Sequence, residues 1–209
     1  KKKRDYIVEN IECYIILAGI IVLSSIPLLS YYLYEGPDLY FHLNRIEGIK
    51  DGLLAGDFPV RMQYSLLNDY GYPVSVYYGD LFLYFPAILR VLGFSIQNCY
   101  KIYLISVNVF TCCLTYIVGK KIFKDKYLGL IAAFVYMFSL YRLVCLYLRA
   151  AVGEATAMCF YPIILYGLYL IYKQERIGML GKKFYIYKFR TMVVNADLEL
   201  EKLLKIKKY

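Results

Sequence analysis

Ile102-Tyr-Leu-Ile-Ser-Val-Asn-Val-Phe-Thr-Cys-Cys-Leu-Thr-Tyr-Ile-Val-Gly119 contains no charged residue and runs into Lys120, Lys121, Lys124 and Lys126. A helix that crosses a bilayer needs about 20 mostly apolar residues. This stretch therefore reads as a membrane span with a basic cluster at its end. Residues 13–34, 128–148 and 155–172 have the same character. Residues 81–94 are also apolar, but the run is shorter and carries Pro86 and Arg90. That length suits an interfacial or re-entrant helix better than a full crossing.

The basic residues arbitrate between four and five crossings. With four, and the N-terminus inside, Lys1 to Arg4, the Lys120 to Lys126 cluster and every base from Lys173 onward share the inner face, which places 18 of the 25 Lys and Arg there. A fifth crossing at 81–94 would move the Lys120 cluster and the tail outside, against the preference of basic residues near span ends for the cytoplasm. The expectation is an all-α polytopic membrane protein. It has about four transmembrane helices, in-plane loop helices, cytoplasmic termini and a short strand/helix tail. The membrane domain covers 1–172, with a long outer loop at 35–100, and the tail covers 173–209. The first apolar run is too long for a signal-peptide core and lacks a small-residue cleavage site, so it reads as a retained anchor.

Composition agrees. Apolar residues make up 60% of the chain, and 26 Tyr with no Trp leave Tyr and Phe to form any interfacial belt. The net charge of +9 is partitioned along the spans rather than gathered on one soluble face, which argues against nucleic-acid binding. Four of the six cysteines, Cys112, Cys113, Cys145 and Cys159, lie inside apolar runs, and no C-x-x-C pair is present. They read as small buried hydrophobes, with neither a disulfide framework nor a metal set.

The long loop opens on Gly36-Pro37-Asp38-Leu-Tyr-Phe-His42-Leu-Asn-Arg45. Gly-Pro is a plausible break, and Asp38, His42 and Arg45 at i, i+4 and i+7 would share one face of a helix. Arg142 and Arg149, seven apart, are expected to share a face near the end of the third span, and Glu154 opens the fourth. The topology brings Asp38, Arg45, Arg149 and Glu154 to one side of the membrane. A carboxylate beside basic groups suits transfer from a lipid-linked phosphate donor: the carboxylate takes an acceptor proton and Arg stabilises the departing phosphate. Plainer roles stand beside these. Asp38 could be an N-cap, His42 a packing residue, Arg149 an interfacial snorkel, and Glu154 no more than the partner of Arg149.

Together with Gly56-Asp-Phe-Pro59-Val-Arg61, Asp69-Tyr-Gly71-Tyr-Pro73, Tyr141-Arg142-Leu and Arg149-Ala-Ala-Val-Gly-Glu154, this opening resembles the bacterial multi-spanning GT-C-type glycosyltransferases over roughly residues 10–172. The resemblance implies a polyprenyl-phosphate-linked sugar donor used on the outer face. It gives Asp38 the place of an acidic residue that acts as catalytic base or metal ligand. Such proteins usually carry many more membrane helices and a further domain.

The tail is different in character. Gln174-Glu-Arg-Ile-Gly178, Lys188-Phe-Arg190-Thr-Met192 and Ala196-Asp197 resemble the opening of the bacterial sugar transferase family, the polyprenyl-phosphate sugar-1-phosphate transferases, over 173–205. Residues 183–189 alternate as a strand would, and 198–208 read as a charged amphipathic helix. The resemblance implies that Lys188 and Arg190 approach phosphates of a nucleotide-sugar or of the lipid carrier. That family also relies on an adjacent Asp-Glu pair further downstream, so this tail alone is not expected to transfer phosphosugar. A bland alternative is that its bases hold anionic headgroups.

The expectation is a membrane glycosyltransferase-type protein of envelope or exopolysaccharide synthesis. Asp38 would be catalytic, with His42, Arg45, Arg149, Glu154, Lys188 and Arg190 binding substrate. Its partners would be a polyprenyl-phosphate carrier, a sugar donor and membrane lipids. No cofactor is expected, and a divalent metal stays open. The alternative is a non-catalytic scaffold or carrier-binding partner of a glycan-assembly complex.

Overall fold

The computed structural model describes residues 11–177 and 183–187. In chain order the helices are α1 (Ile11–Ser25), α2 (Leu39–Leu54), α3 (Val74–Tyr77), α4 (Tyr84–Val91), α5 (Ile96–Phe123), α6 (Lys126–Met137), α7 (Leu140–Leu143), α8 (Val152–Met158) and α9 (Tyr161–Tyr172). Two strands follow, β1 (Lys173–Ile177) and β2 (Lys183–Tyr187). The chain divides into two compact units, Lys1–Ile163 and Ile164–Tyr209.

Two segments are long and apolar enough to cross a membrane. One is α1 with the 3₁₀ turn that continues it, Ile11–Leu29; the other is α5, at 28 residues. Pro27 sits in that turn, where its missing N–H ends the regular helix short of residue 34. A third span exists if α6 and Leu140–Leu148, bent by 51°, count as one. The architecture is that of a helical membrane protein. The fourth expected span, 155–172, is interrupted: α8 ends at Met158 and α9 begins at Tyr161. Pro162 explains the break, since it cannot donate to the preceding turn and disfavours helical backbone at the residue before it. Among the described residues the structure therefore offers two or three spans, where four were expected.

The α5–α6 hairpin packs closely within the membrane core. Ser95 caps α5 through the N–H of Asn98 at 3.3 Å. Lys124 adopts a left-handed φ of 55° at the reversal. Asp125 then caps α6, accepting from the N–H groups of Tyr127 and Leu128 at 2.8 Å each. The two helices meet through glycine: a Cβ on Gly129 would lie 2.9 Å from the backbone nitrogen of Lys120. Such small residues let membrane helices approach closely. On the other side α1 packs against both, with Cys13, Leu17, Ile20, Cys112, Tyr116, Leu130, Ala133 and Met137 buried in one cluster.

The segment between α1 and α5 forms a second packed layer. Ile46 and Ile49 of α2, Ala87 of α4 and Tyr100 and Leu104 of α5 share one core. Residues 81–94 contain a 3₁₀ turn and the eight-residue α4, too short to cross. Arg90 of α4 is anchored on Glu47 of α2 at 2.5 Å. All six cysteines are free thiols.

In the second unit, β1 and β2 pair antiparallel, with Lys173 opposite Tyr187 and Ile177 opposite Lys183. The strand expected at 183–189 is present at 183–187; its partner β1 was not expected. Lys188, Arg190 and the amphipathic helix expected at 198–208 lie outside the described residues.

Candidate active site

The site is built where the chain re-enters helix after α1. Gly36 is pressed against the backbone after α7: a Cβ there would lie 2.3 Å from the carbonyl oxygen of Leu148. Two residues on, the N–H of Asp38 donates to the carbonyl of Arg149 at 3.3 Å. Asp38 occupies the N-cap position of α2, yet its side chain makes no capping bond. Asp38 instead lines a cavity of about 470 Å³ together with His42, Arg45, Tyr78, Tyr103 and Glu154. The shared face expected of Asp38, His42 and Arg45 is thus the face that α2 turns to this cavity.

Arg45 is 2% exposed. Its Nη2 donates to the carbonyls of Tyr78 at 3.3 Å and Gly79 at 2.9 Å, and its Nη1 stands 3.4 Å from His42 Nδ1. The guanidinium carbon lies 5.6 Å from the ring centroids of both Phe41 and Tyr78. Among the described residues its Nε has no partner. Among the described residues no carboxylate is within ion-pair distance. Burial lowers its pKa, but an arginine keeps its proton in proteins. The cavity is therefore lined by a cation with unspent donor capacity.

Burial pushes the His42 imidazole down to about 4, with the charge of Arg45 adding to the effect and Asp38 opposing it. His42 is neutral at pH 7. Because Arg45 can only donate, Nδ1 accepts, which puts the ring proton on Nε2.

Glu154 is held at the rim. Arg149 grips it with two bonds of 3.2 Å, and the Tyr141 hydroxyl donates to it at 2.6 Å. The hydroxyl of Tyr141, the thiol of Cys145 and then Arg149 hold the carboxyl below its usual range. Glu154 lines the cavity; Arg149 does not, and acts on it through Glu154. Arg142 does not share a face with Arg149. It is 1% exposed and points inward, donating to Asn108 Oδ1 at 2.5 Å and to the Met137 carbonyl at 3.1 Å. The reason is the π turn Val144–Leu148 between them, which breaks the seven-residue register of a regular helix.

An apolar groove of about 260 Å³ adjoins the cavity. It shares Leu81, Phe82, Tyr103, Thr156 and Phe160 with it and continues along α5 past Val107 and Phe110 to Leu114. From Tyr103 to Leu114 the helix advances roughly 16 Å. The hydroxyls of Tyr103 and Thr156 are hydrogen-bonded to each other across the shared wall. Sequence reading missed Tyr78, Tyr103, Thr156, Phe82 and Phe160, none of which sits in a charged or spaced motif. Among the described residues no three His, Cys, Asp or Glu side chains converge as a metal set, so no step is assigned to a metal.

Residues 130–208 match the family model of the bacterial sugar transferases. The match supports the resemblance first seen in the tail, and it begins much further upstream, inside α6. It therefore takes in the α6–α7 bend, Glu154 and both strands. The chain is also 24% identical over 163 residues to an uncharacterized protein of Lactococcus lactis subsp. cremoris (strain MG1363), covering 76% of this chain and 26% of that protein. The chain thus spans about a quarter of the length of this relative. No solved structure matches.

Proposed function

We propose that this chain is the membrane part of a sugar transferase of bacterial envelope polysaccharide assembly, acting on a sugar carried by polyprenyl phosphate. The observation that carries the reading is the junction of two unlike spaces. A charged cavity holds Asp38 and the buried Arg45, and an apolar groove opens from it along a membrane helix. An amphiphile with an anionic head and a long hydrocarbon tail fits that junction. The sugar transferase match supports, in general terms, the use of a polyprenyl-phosphate carrier and a sugar donor. In this reading the interrupted 155–172 run still completes a fourth crossing of the inner membrane, which leaves both termini cytoplasmic and the cavity facing outward.

In the reaction, the acceptor oxygen attacks the anomeric carbon as the bond from that carbon to the phosphate oxygen breaks. The acceptor proton passes to the Asp38 carboxylate, and polyprenyl phosphate departs with the electron pair. Arg45 is held by Tyr78 and Gly79 in a fixed pose, so its remaining donors can stabilise the charge that develops on the phosphate. Neutral His42 keeps a second positive charge away from Arg45 while leaving Nε2–H free to donate to a sugar hydroxyl. Glu154, fixed by Arg149 and Tyr141, can accept from another. Lys188 and Arg190 would serve phosphates on the cytoplasmic face, as the sugar transferase resemblance implies.

The test is transfer of labelled sugar from a polyprenyl-phosphate donor in membranes containing the chain. Asp38→Asn should cut transfer by roughly 10²–10⁴-fold, the usual contribution of a general base. Full transfer by Asp38→Asn would overturn the assignment. Carrier binding without transfer in the wild type would favour the carrier-binding partner instead.

A further inference from the structure

The loop from 57 to 80, between α2 and α4, holds five tyrosines: Tyr64, Tyr70, Tyr72, Tyr77 and Tyr78. The proposed reaction engages only Tyr78, through Arg45. The base of this loop is pinned to α2. Val60 fills the space left by Gly52, where a Cβ would lie 2.5 Å from a Val60 methyl. Gln63 is buried against Gly48 in the same manner and donates to the Arg45 carbonyl at 3.4 Å. Gln63 and Tyr72 exchange two backbone bonds of 3.0 Å, and the N–H of Gly71 donates to the Leu66 carbonyl at 3.0 Å, which closes a hairpin. A surface fixed in this way has little freedom left to lose on binding.

On this base the rings stand in the open. Tyr70 is 88% exposed and Tyr77 71%, and Tyr64 and Tyr78 are exposed as well. Tyr72 and Tyr77 are stacked, their centroids 6.3 Å apart and their planes 19° from parallel, and the exposure of Tyr77 leaves its other face free. The next residue, Tyr78, forms part of the Asp38 cavity and holds Arg45 through its carbonyl. The ring pair therefore adjoins the cavity read as holding the sugar donor.

Charge helps to identify what covers these rings. Residues 57–80 carry Asp57, Asp69 and Asp80 against the single Arg61, a net charge of −2. Segments that rest on anionic membranes carry the opposite sign, rich in Lys and Arg. A pyranose is uncharged and has a face of C–H bonds edged by hydroxyls. The C–H face complements the negative face of an aromatic ring, and the hydroxyls complement phenol oxygens.

We infer that the Tyr72–Tyr77 pair is a subsite for the sugar chain of the acceptor, holding it behind the end that reaches Asp38. The inference rests on the sugar-transfer reading of the cavity.

Saturation-transfer NMR on the full chain in phosphatidylglycerol nanodiscs tests it, with neutral hexasaccharides of glucose, galactose, mannose and N-acetylglucosamine as probes. Saturating the aromatic protons should pass magnetisation to the C–H protons of at least one hexasaccharide. Tyr77→Ala should weaken that binding about tenfold, or about 1.4 kcal/mol, whereas Tyr77→Phe should keep most of it, because the ring carries the contact. Tyr77 is exposed, so both variants should keep the thermal midpoint of the parent. Asp38→Asn should bind the hexasaccharide as the parent does. Tyrosine-dependent binding with no sugar transfer would thus count against the catalytic assignment and leave the subsite standing. Failure of all four probes to bind, or equal binding by the parent and Tyr77→Ala, overturns the subsite. The chain has no Trp, so Tyr77→Trp supplies a single reporter. Quenching of that reporter by brominated lipid would make the surface a membrane contact and overturn the subsite as well.

Discussion

Asp38 is tied to Arg149 through the backbone, its N–H donating to the Arg149 carbonyl at 3.3 Å. The turn that presents the candidate base is thus fastened to the turn that presents the ion pair Arg149–Glu154. Gly36 makes that contact possible by letting the chain lie against Leu148. The two halves of the cavity, more than a hundred residues apart in sequence, are registered by main-chain contact rather than by long side chains.

Gly36→Ala tests this junction. The new methyl would sit 2.3 Å from a backbone oxygen, so the two segments must separate. Overpacking of this kind costs about 1–3 kcal/mol. The expected result is a lowered thermal midpoint in detergent together with weakened sugar transfer. Gly56→Ala serves as a contrast: a Cβ there meets no neighbouring atom, so only the strain of its left-handed φ of 89° should be felt.

Arg142 is the buried cation of the membrane core. It bonds Asn108, which in turn donates to the Ser25 and Tyr147 hydroxyl oxygens at 2.9 Å each. The network joins α1, α5 and the bend after α6. Arg142→Met leaves Asn108 Oδ1 and the Met137 carbonyl without their donor, at about 1–3 kcal/mol for each buried group left unsatisfied. Thermal unfolding in detergent should show the loss. The double variant Arg142→Met with Asn108→Leu should be less destabilised than the two single changes summed. Strict additivity would mean the two side chains are not coupled.

Stability should also depend on pH through His42. Its folded value is about 4 against an ordinary 6.5, so between these limits the unfolded chain binds a proton that the folded chain refuses. The contribution is fully present above about pH 6.5 and is lost as pH falls toward 4. Thermal midpoints measured across that window should drop with acid, and His42→Gln should flatten this part of the profile. An unchanged slope in His42→Gln would assign the acid sensitivity elsewhere.

Much of this was readable in the residues. The 3.6-residue period placed Asp38, His42 and Arg45 on one face of α2, and the shortness of 81–94 kept it from being a span. What could not be read were features set by backbone geometry or by distant partners. Val144–Leu148 has an ordinary helical composition, so nothing in it announced a π turn that sends Arg142 inward and Arg149 outward. The break before Pro162 did have a signal, the proline itself, which the apolar length of 155–172 outweighed. Arg45 finds its acceptors at Tyr78 and Gly79, 33 and 34 residues away, a pairing that only the tertiary fold creates. The apolar groove likewise joins residues from three separate segments, 81–85, 103–114 and 156–160.

The most direct measurement is photo-cross-linking with a polyprenyl-phosphate sugar whose chain carries a diazirine, in membranes containing the chain. If the cavity and groove hold the carrier, cross-links fall on peptides containing Phe82, Phe110 and Phe160, and Arg45→Met reduces them several-fold. Cross-links spread evenly over the membrane helices, or unchanged by Arg45→Met, would contradict a carrier site at this junction.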